Sequence, residues 1–506
     1  MSRGLVALSL ALLAFRLASA AFVVVQPGFT DAFYYIDVAR RLAHGEGLTA
    51  DFIWNFLEAP RLEPLPVASH RFWMPLASAI QATGIATLEP VLGTFRSAQA
   101  AVIAVAAFVP AAAYAAARSL GASRGAALAA AALAGIGGGA FAPAWVALDS
   151  FAIAAVVGTM FFIAFGRAAS GDVRAGAACG LLVGVLFLAR AEGALFGLAL
   201  LALAARLASR GAGIAGTAVA LAIGGAWLLR GLALGGPGDL LARTVLLARY
   251  EDFFAINPTG SVDVLTAVGT RLGALWSDLI VALFGLMAFL AFPLALGTRE
   301  AWRRPAVRAF VGLALLIYVA EGVVWPLHAT RGSYFHSLAA FYPFAMALVA
   351  VGGEAWLARR DEPTRRIAVG GTMAAAAALG VFGLTTWDAT FNTGYRARAD
   401  AVGAIPAGPF LAIDGAAWRW IADRPVLVTP ADGPTEAACV ATRYGAKSLV
   451  LEAAHFSAYD SLYRDGVATW LEPPVDRGAI RIFAIRETVA CGVRASPDTG
   501  AGPEVP

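Results

Sequence analysis

Apolar stretches of roughly 20 residues recur along this chain, and a helix of that length matches the hydrocarbon core of a bilayer. Nothing else in the sequence constrains the fold as strongly. About eleven spans are delimited by apolar length alone, near 4–25, 94–117, 125–142, 150–166, 175–190, 194–208, 213–234, 276–297, 309–327, 338–357 and 367–387. A shorter apolar segment, 74–88, reads as an interfacial or re-entrant helix. With 59% hydrophobic and only 14% charged residues in 506, no soluble globular class fits. The start, MSRGLVALSLALLAFRLASAAF, ends like a cleavable signal peptide, but the apolar run continues to Val25 and carries Arg16. It therefore reads as a retained first span. Arg16 either snorkels to an interface or faces a polar cavity.

Arginine placement sets the orientation. Arg118 with Arg124, Arg167 with Arg174, Arg206 with Arg210, the cluster 299–308 and the cluster 359–366 all fall between spans of one parity, together with Arg3. By the excess of positive charge on the cytoplasmic side, those loops and the N-terminus are inside. The intervals 26–93, 143–149, 191–193, 235–275, 328–337 and everything after about 388 are then extracytoplasmic. The net charge of +4 is dispersed among these topogenic clusters and does not suggest a nucleic-acid partner. Three cysteines, Cys179, Cys439 and Cys491, support neither a disulfide framework nor a zinc site. Cys439 and Cys491 could pair if their domain is extracytoplasmic, two free thiols being the simpler default.

The first long polar interval, Asp31 to Pro75, is out of place in so apolar a chain unless it has a task. It opens with Asp31, then Tyr34 and Tyr35. An amphipathic helix follows, with Ile36, Ala39, Leu42 and Ala43 on one face and Asp37, Arg40 and Arg41 on the other. Trp54, Phe56, Phe72 and Trp73 suit a membrane surface, so the segment is expected at the interface, over the mouth of a cavity. The other outer intervals carry Asp149 in WVALDSFA, Arg190 and Glu192 in FLARAEGALF, Arg249 in LLARYEDFF, and His328, Arg331 and His336 in HATRGSYFHS. Each has a plain alternative: helix capping for Asp149, a local ion pair for Arg190 and Glu192, a solvated loop for the rest. Their gathering on one side of the membrane is the stronger signal.

From about 395 the pattern changes. FLAID, PVLVTP, KSLVLE and AIRIFAIR read as strands alternating with helical segments, a small α/β domain with a largely parallel sheet. No glycine-rich phosphate loop follows its first strand, so nucleotide binding is not supported. The domain organisation is thus 1–394 in the membrane, 395–490 as an extracytoplasmic α/β domain, and a disordered tail over 491–506.

Asp31 with Tyr34 and Tyr35, the ARRLAHGEGLT helix, RFWMPLAS, ARAEGALF after a glycine-rich span, and RGSYFHSLAAFYPF together resemble the GT-C glycosyltransferases. These polytopic enzymes take sugar from polyprenyl-phosphate carriers. Within them the chain is most similar to bacterial relatives of protein O-mannosyltransferases and aminoarabinose transferase. Two departures stand out. The mannosyltransferases carry an Asp-Glu pair in the first loop, whereas Ala32 follows Asp31 here. The aminoarabinose type carries Lys-Pro-Pro near the end of that loop, where this chain has Trp73, Met74 and Pro75, with His70 and Arg71 as the nearest cations.

The resemblance implies a transferase of the bacterial plasma membrane acting on the extracytoplasmic face. Its donor would be a polyprenyl-phosphate sugar, and its acceptor a lipid, glycan or protein hydroxyl. Asp31 is then the expected catalytic base, with inversion at the anomeric carbon. Asp31 is also well placed to cap a helix starting at Ala32. Tyr34, Tyr35, Asp149, Arg190 and Glu192 are expected to contact substrate. His70, Arg71, Arg249, Arg331 and His336 are candidates for the carrier phosphate, Arg331 foremost. Asp31, Asp37 and Asp149 could ligate a divalent cation, but no metal or other cofactor is expected. The alternative class is a polytopic transporter or lipid flippase, which would place ionisable groups near the bilayer midplane. A third alternative is an inactive scaffold that presents the tail domain.

Overall fold

The computed structural model of the chain describes residues 3–58, 62–234, 249–258 and 262–486. The expected disordered tail 491–506, Cys491 and part of the interval 235–275 lie outside the described residues. The chain divides into two compact units. One comprises Met1–Ala50, Pro66–Tyr250 and Thr259–Ala397; the other comprises Asp51–Leu65, Glu251–Pro258 and Arg398–Pro506.

The first unit is an integral-membrane helical bundle. Among the described residues, seven helices are long and apolar enough to cross a membrane, nine when each of two sharply bent pairs counts as one span. The two other expected spans, 175–190 and 194–208, correspond to shorter apolar helices, Val173–Ala189 and Ala191–Ala204. Arg16 does not snorkel to a surface. It is buried in the first helix and donates through Nη2 to the Gly135 carbonyl at 3.3 Å, beside the left-handed Gly137 where the Arg124–Ile136 helix breaks. A cation suits the unpaired carbonyls of a helix C-terminus.

The segment expected to be interfacial or re-entrant forms the first arm of a folded helix. Leu76–Ala106 carries Pro90 and a non-helical Gly93 (φ 73°). At that break the chain turns back on itself, so that a Cβ at Gly84 would lie 2.3 Å from the Ser97 carbonyl oxygen. Only glycine permits that approach. The amphipathic helix spans Thr30–Ala43, and its run from Ala32 to Ala39 is buried on every side. Asp37, expected on a polar face, is fully enclosed and pairs with Arg40 at 2.9 Å.

In the first unit the loop after the Thr30–Ala43 helix forms a short antiparallel pair, β1 (Thr49–Ala50) with β3 (Val67–Ala68). The second unit is built on six strands, β2 (Phe52–Ile53), β4 (Phe410–Ala412), β5 (Val426–Val428), β6 (Ser448–Glu452), β7 (Val475–Arg477) and β8 (Ile480–Ala484), in the order β2-β5-β4-β6-β8-β7. The first four in that order run parallel; β8 is antiparallel to β6, and β7 is antiparallel to β8. The central strands β4 and β5 are buried throughout, which is why they read as continuous apolar runs. The four expected tail strands are present. Sequence reading missed β7 and, more consequentially, β2, which the first polar loop supplies as an edge strand beside β5. Trp54 and Phe56 therefore do not lie on a membrane surface. Both are buried in this unit, Phe56 in its hydrophobic core and Trp54 packed on Phe253 at 5.1 Å. Cys439 is disulfide-bonded, not the free thiol taken as the simpler default.

Candidate active site

Four separated segments of the bundle bring their polar residues together. Asp31 comes from the first turn of the Thr30–Ala43 helix. That helix starts at Phe29 without a side-chain cap, so capping is not the task of Asp31. Asp149 sits in the tight turn before the Phe151–Ala168 helix. Its Oδ1 accepts from the backbone N–H and, at 2.9 Å, the hydroxyl of Ser150. The helix's own N-cap is Ser150, without a side-chain cap bond, so Asp149 caps nothing either. Arg190 stands where the Val173–Ala189 helix ends in extended backbone, and Glu192 follows in a 3-10 turn. His336 lies on the two-turn Ser333–Ala339 helix, entered through Gly332 at φ 105°.

The centre of the cluster is His336. Its Nε2 is 3.0 Å from Asp149 Oδ2 and 3.9 Å from Asp31 Oδ2. Its Nδ1 faces the Gly332 carbonyl at 2.8 Å. A carbonyl only accepts, so Nδ1 carries a proton, and Nε2 faces a second acceptor. Two acceptors are satisfied together only by the doubly protonated ring. The ring stacks on Phe151 at 4.3 Å between centroids. Arg190 Nη1 approaches Asp31 Oδ2 to 3.8 Å, while its Nη2 meets Glu192 Oε1 at 3.1 Å. Ser333 Oγ donates to the same Glu192 oxygen at 2.9 Å. The local Arg190–Glu192 pair is thus real, but it also reaches two other segments.

Electrostatics separate the two aspartates. Asp149 is wholly enclosed; burial works against its charge, yet His336, Arg190 and the Ser150 N–H together hold it below the usual carboxylate range. Asp31 keeps 22% of its side-chain surface. Burial raises it to about 6, against the pull of His336 and Arg190. A carboxylate tuned that close to neutrality suits a general base. The hydroxyl of Tyr35 is buried with no hydrogen-bond partner among the described residues, and burial, then the charge of Asp149, pushes it well above its ordinary value. An unpaired buried hydroxyl beside a charge cluster is costly and marks a place for a ligand atom. Asp31, Asp149 and His336 offer ligand atoms within 4.8 Å of one another, so two carboxylates and an imidazole could hold a divalent cation. It would have to displace the Nε2 proton and break the His336–Asp149 bond.

The other expected residues lie elsewhere or serve differently. Tyr34 accepts the His70 N–H at 2.6 Å and packs against Trp73 at 4.7 Å, holding the 69–73 turn. His70 is buried at φ 57°, with Nδ1 donating to the Trp73 carbonyl at 3.1 Å. Burial brings its pKa down to about 3, so it is neutral and supplies no cation for phosphate. Arg71 is half-buried and Arg249 exposed. Arg331 is exposed and stacks over the Tyr250 ring at 4.5 Å. Sequence reading missed Arg230, in the last turn of Arg210–Ala233, which donates to the Ser69 carbonyl at 2.9 Å and covers Trp227. It missed Ser333 and Glu321 as well. A charged residue at or inside an apolar span was the signal for Arg230 and Glu321.

No protein-family profile and no curated protein matches this sequence. Solved structures do match in fold, among them two membrane-bound transferases, named as ArnT and as an oligosaccharyltransferase. ArnT from Cupriavidus metallidurans bound to undecaprenyl phosphate superposes with a TM-score of 0.60 at 15% identity, over 96% of this chain and 98% of its own. Its apo form gives 0.59 at 14% identity, over 95% and 97%. The archaeal oligosaccharyltransferase AglB from Archaeoglobus fulgidus, in complex with an inhibitory peptide and a dolichol-phosphate, gives 0.52 at 14%, over 89% of this chain and 69% of AglB. At these identities the likeness is one of fold.

Proposed function

We propose that this protein is a glycosyltransferase that moves a sugar from a polyprenyl-phosphate carrier to an acceptor hydroxyl. The observation that carries the reading is the Asp31 cluster: a carboxylate raised to about 6, flanked by Arg190 and His336, beside a Tyr35 hydroxyl that has no partner among the described residues. The lipid carriers bound by ArnT and AglB support a lipid-phosphate donor. Asp31 takes the acceptor's proton as its oxygen bonds to the anomeric carbon. The bond from that carbon to the phosphate oxygen breaks, and its electron pair leaves on the carrier phosphate. Base and leaving group lie on opposite faces of the sugar, so the configuration inverts. Arg190 and His336 keep Asp31 ionised and Asp149 holds His336. The carrier phosphate is read by guanidinium groups around the 69–73 turn and Tyr250, namely Arg71, Arg230 and Arg331, with Arg249 adjacent to Tyr250 in sequence. Arg190 and His336 already supply positive charge at the aspartates, which supports a reaction without metal.

The arginine pattern supports a cytoplasmic N-terminus and an extracytoplasmic sheet unit in a bacterial plasma membrane. The Cys439 disulfide agrees, since such bonds persist in oxidising compartments. A cysteine at the exposed Val467 should react with an impermeant reagent added to intact cells; reaction only after permeabilisation would reverse the orientation. The decisive test of function is consumption of a polyprenyl-phosphate sugar by purified protein in nanodiscs, with and without chelator. Turnover in both arms supports this reading. Loss with chelator alone assigns a cation to Asp31, Asp149 and His336. No turnover with any such donor turns attention to transport, for which Glu321 and Asp278, buried within spans, would be the first residues to consider.

A further inference from the structure

One carboxylate of the bundle has no part in the chemistry above. Glu321 lies in the last turns of Pro305–Val323, 1% exposed. An acid inside an apolar span is expensive unless something uses it. Its Oε1 accepts from the Ser337 hydroxyl. Ser333 and Ser337 are four residues apart and so share a face of the Ser333–Ala339 helix. That face is gripped twice, by Glu192 through Ser333 and by Glu321 through Ser337.

The helix needs such anchors. It has seven residues, too few to be stable by its own hydrogen bonds. It begins at left-handed Gly332 and is bent by 57° from the helix that follows. Yet it carries His336, whose Nε2 must stand 3.0 Å from Asp149 and 3.9 Å from Asp31. His336 and Ser337 are adjacent, so whatever seats Ser337 seats the ring. Glu321 stands on a longer spanning helix and offers a fixed point.

We propose that Glu321 is a positioning residue for the transfer: acting through Ser337, it seats the short helix so that His336 stands between Asp149 and Asp31. The proposal rests on reading that cluster as the transfer site. What matters is the oxygen acceptor of Glu321, not its charge. The rival role, a proton or cation holder together with Asp278, whose two carboxylate oxygens have no partner among the described residues, needs the ionisable group itself.

Three variants separate these roles. Glu321→Gln keeps an acceptor oxygen and loses the ionisable group; Glu321→Ala loses both; Ser337→Ala removes the donor from the other side. Glu321→Ala and Ser337→Ala should lower kcat about tenfold with donor KM within about twofold, and Glu321→Gln should return kcat to within about threefold of wild type. Amide hydrogen exchange in nanodiscs gives a readout that needs no turnover. Amides of 333–339 should exchange faster in Glu321→Ala and Ser337→Ala, and at the wild-type rate in Glu321→Gln. If wild-type protein consumes no donor, the transfer reading fails and exchange alone judges Glu321. Equal loss in Glu321→Gln and Glu321→Ala, or unchanged exchange in Ser337→Ala, overturns the proposal. Should Glu321→Ala not fold, Ser337→Ala and Glu321→Gln carry the same decision.

Discussion

Each unit of this protein contains a cluster of partly buried charges, and the two are built differently. In the sheet unit, Arg398 meets both oxygens of Glu452 at 3.1 Å and Asp414 at 3.2 Å. Trp418 donates to Glu452 at 2.8 Å, and the other oxygen of Asp414 caps the next helix. Every charge there has a close partner. In the bundle, the cationic partners of Asp31 among the described residues stand off at 3.8 and 3.9 Å. Tyr35 Oη, Arg190 Nε and Glu192 Oε2 have no hydrogen-bond partner among the described residues. A closed cluster repays its desolvation by itself; an open one is costly until a ligand completes it. The difference marks the first as structural and the second as a working site.

The largest expected effect falls on the open cluster. Asp31→Asn keeps the shape and removes the base, so transfer should drop roughly 10²-fold or more with melting unchanged. Near-normal transfer would dissolve the comparison and move the base to Asp149. Next comes pH. Asp31 must be ionised to act, and its pKa is raised to about 6, so activity should fall about tenfold per unit below pH 6 and level off above it. His336→Gln removes a cation that favours the carboxylate, so the limb should move to higher pH; a limb that stays in place removes His336 from the site. A smaller effect belongs to the rim: Arg331→Ala should raise donor KM roughly fivefold with little change in kcat, and unchanged kinetics would take Arg331 out of the phosphate pocket. The smallest effect on turnover belongs to the closed cluster. Arg398→Ala should cost about 2 kcal/mol of stability, read as earlier melting of the sheet unit, while transfer per folded molecule stays the same. Loss of transfer without loss of stability would show that the sheet unit takes part in the chemistry.

Much of this was legible from local pattern. Span length is a property of consecutive residues, so the helical bundle could be read directly, as could the four tail strands with their apolar runs. Asp31, Asp149, Arg190, Glu192 and His336 stood out because ionisable groups at the ends of apolar spans are rare and expensive. Contact between them was not legible. Helical and strand periods say which face a residue occupies, not which distant segment meets that face. For that reason His70 looked like a cation when burial makes it neutral, Asp37 looked solvated when it is enclosed, and Trp54 and Phe56 looked lipid-facing when they help build a sheet unit.

The sequence by itself determined a polytopic membrane chain, the alternating pattern of its tail and the short list of charged residues that must earn their place. Only the tertiary structure decided that five of those residues, His336 among them, come together from four segments, and that the first loop lends β2 to a sheet whose other strands lie more than 350 residues later. It also brought Glu321 to the helix that carries His336. The physical reason is range. Hydrophobic length and periodicity are set within a few turns, whereas a charge network depends on which segments the packed core holds within a few ångströms.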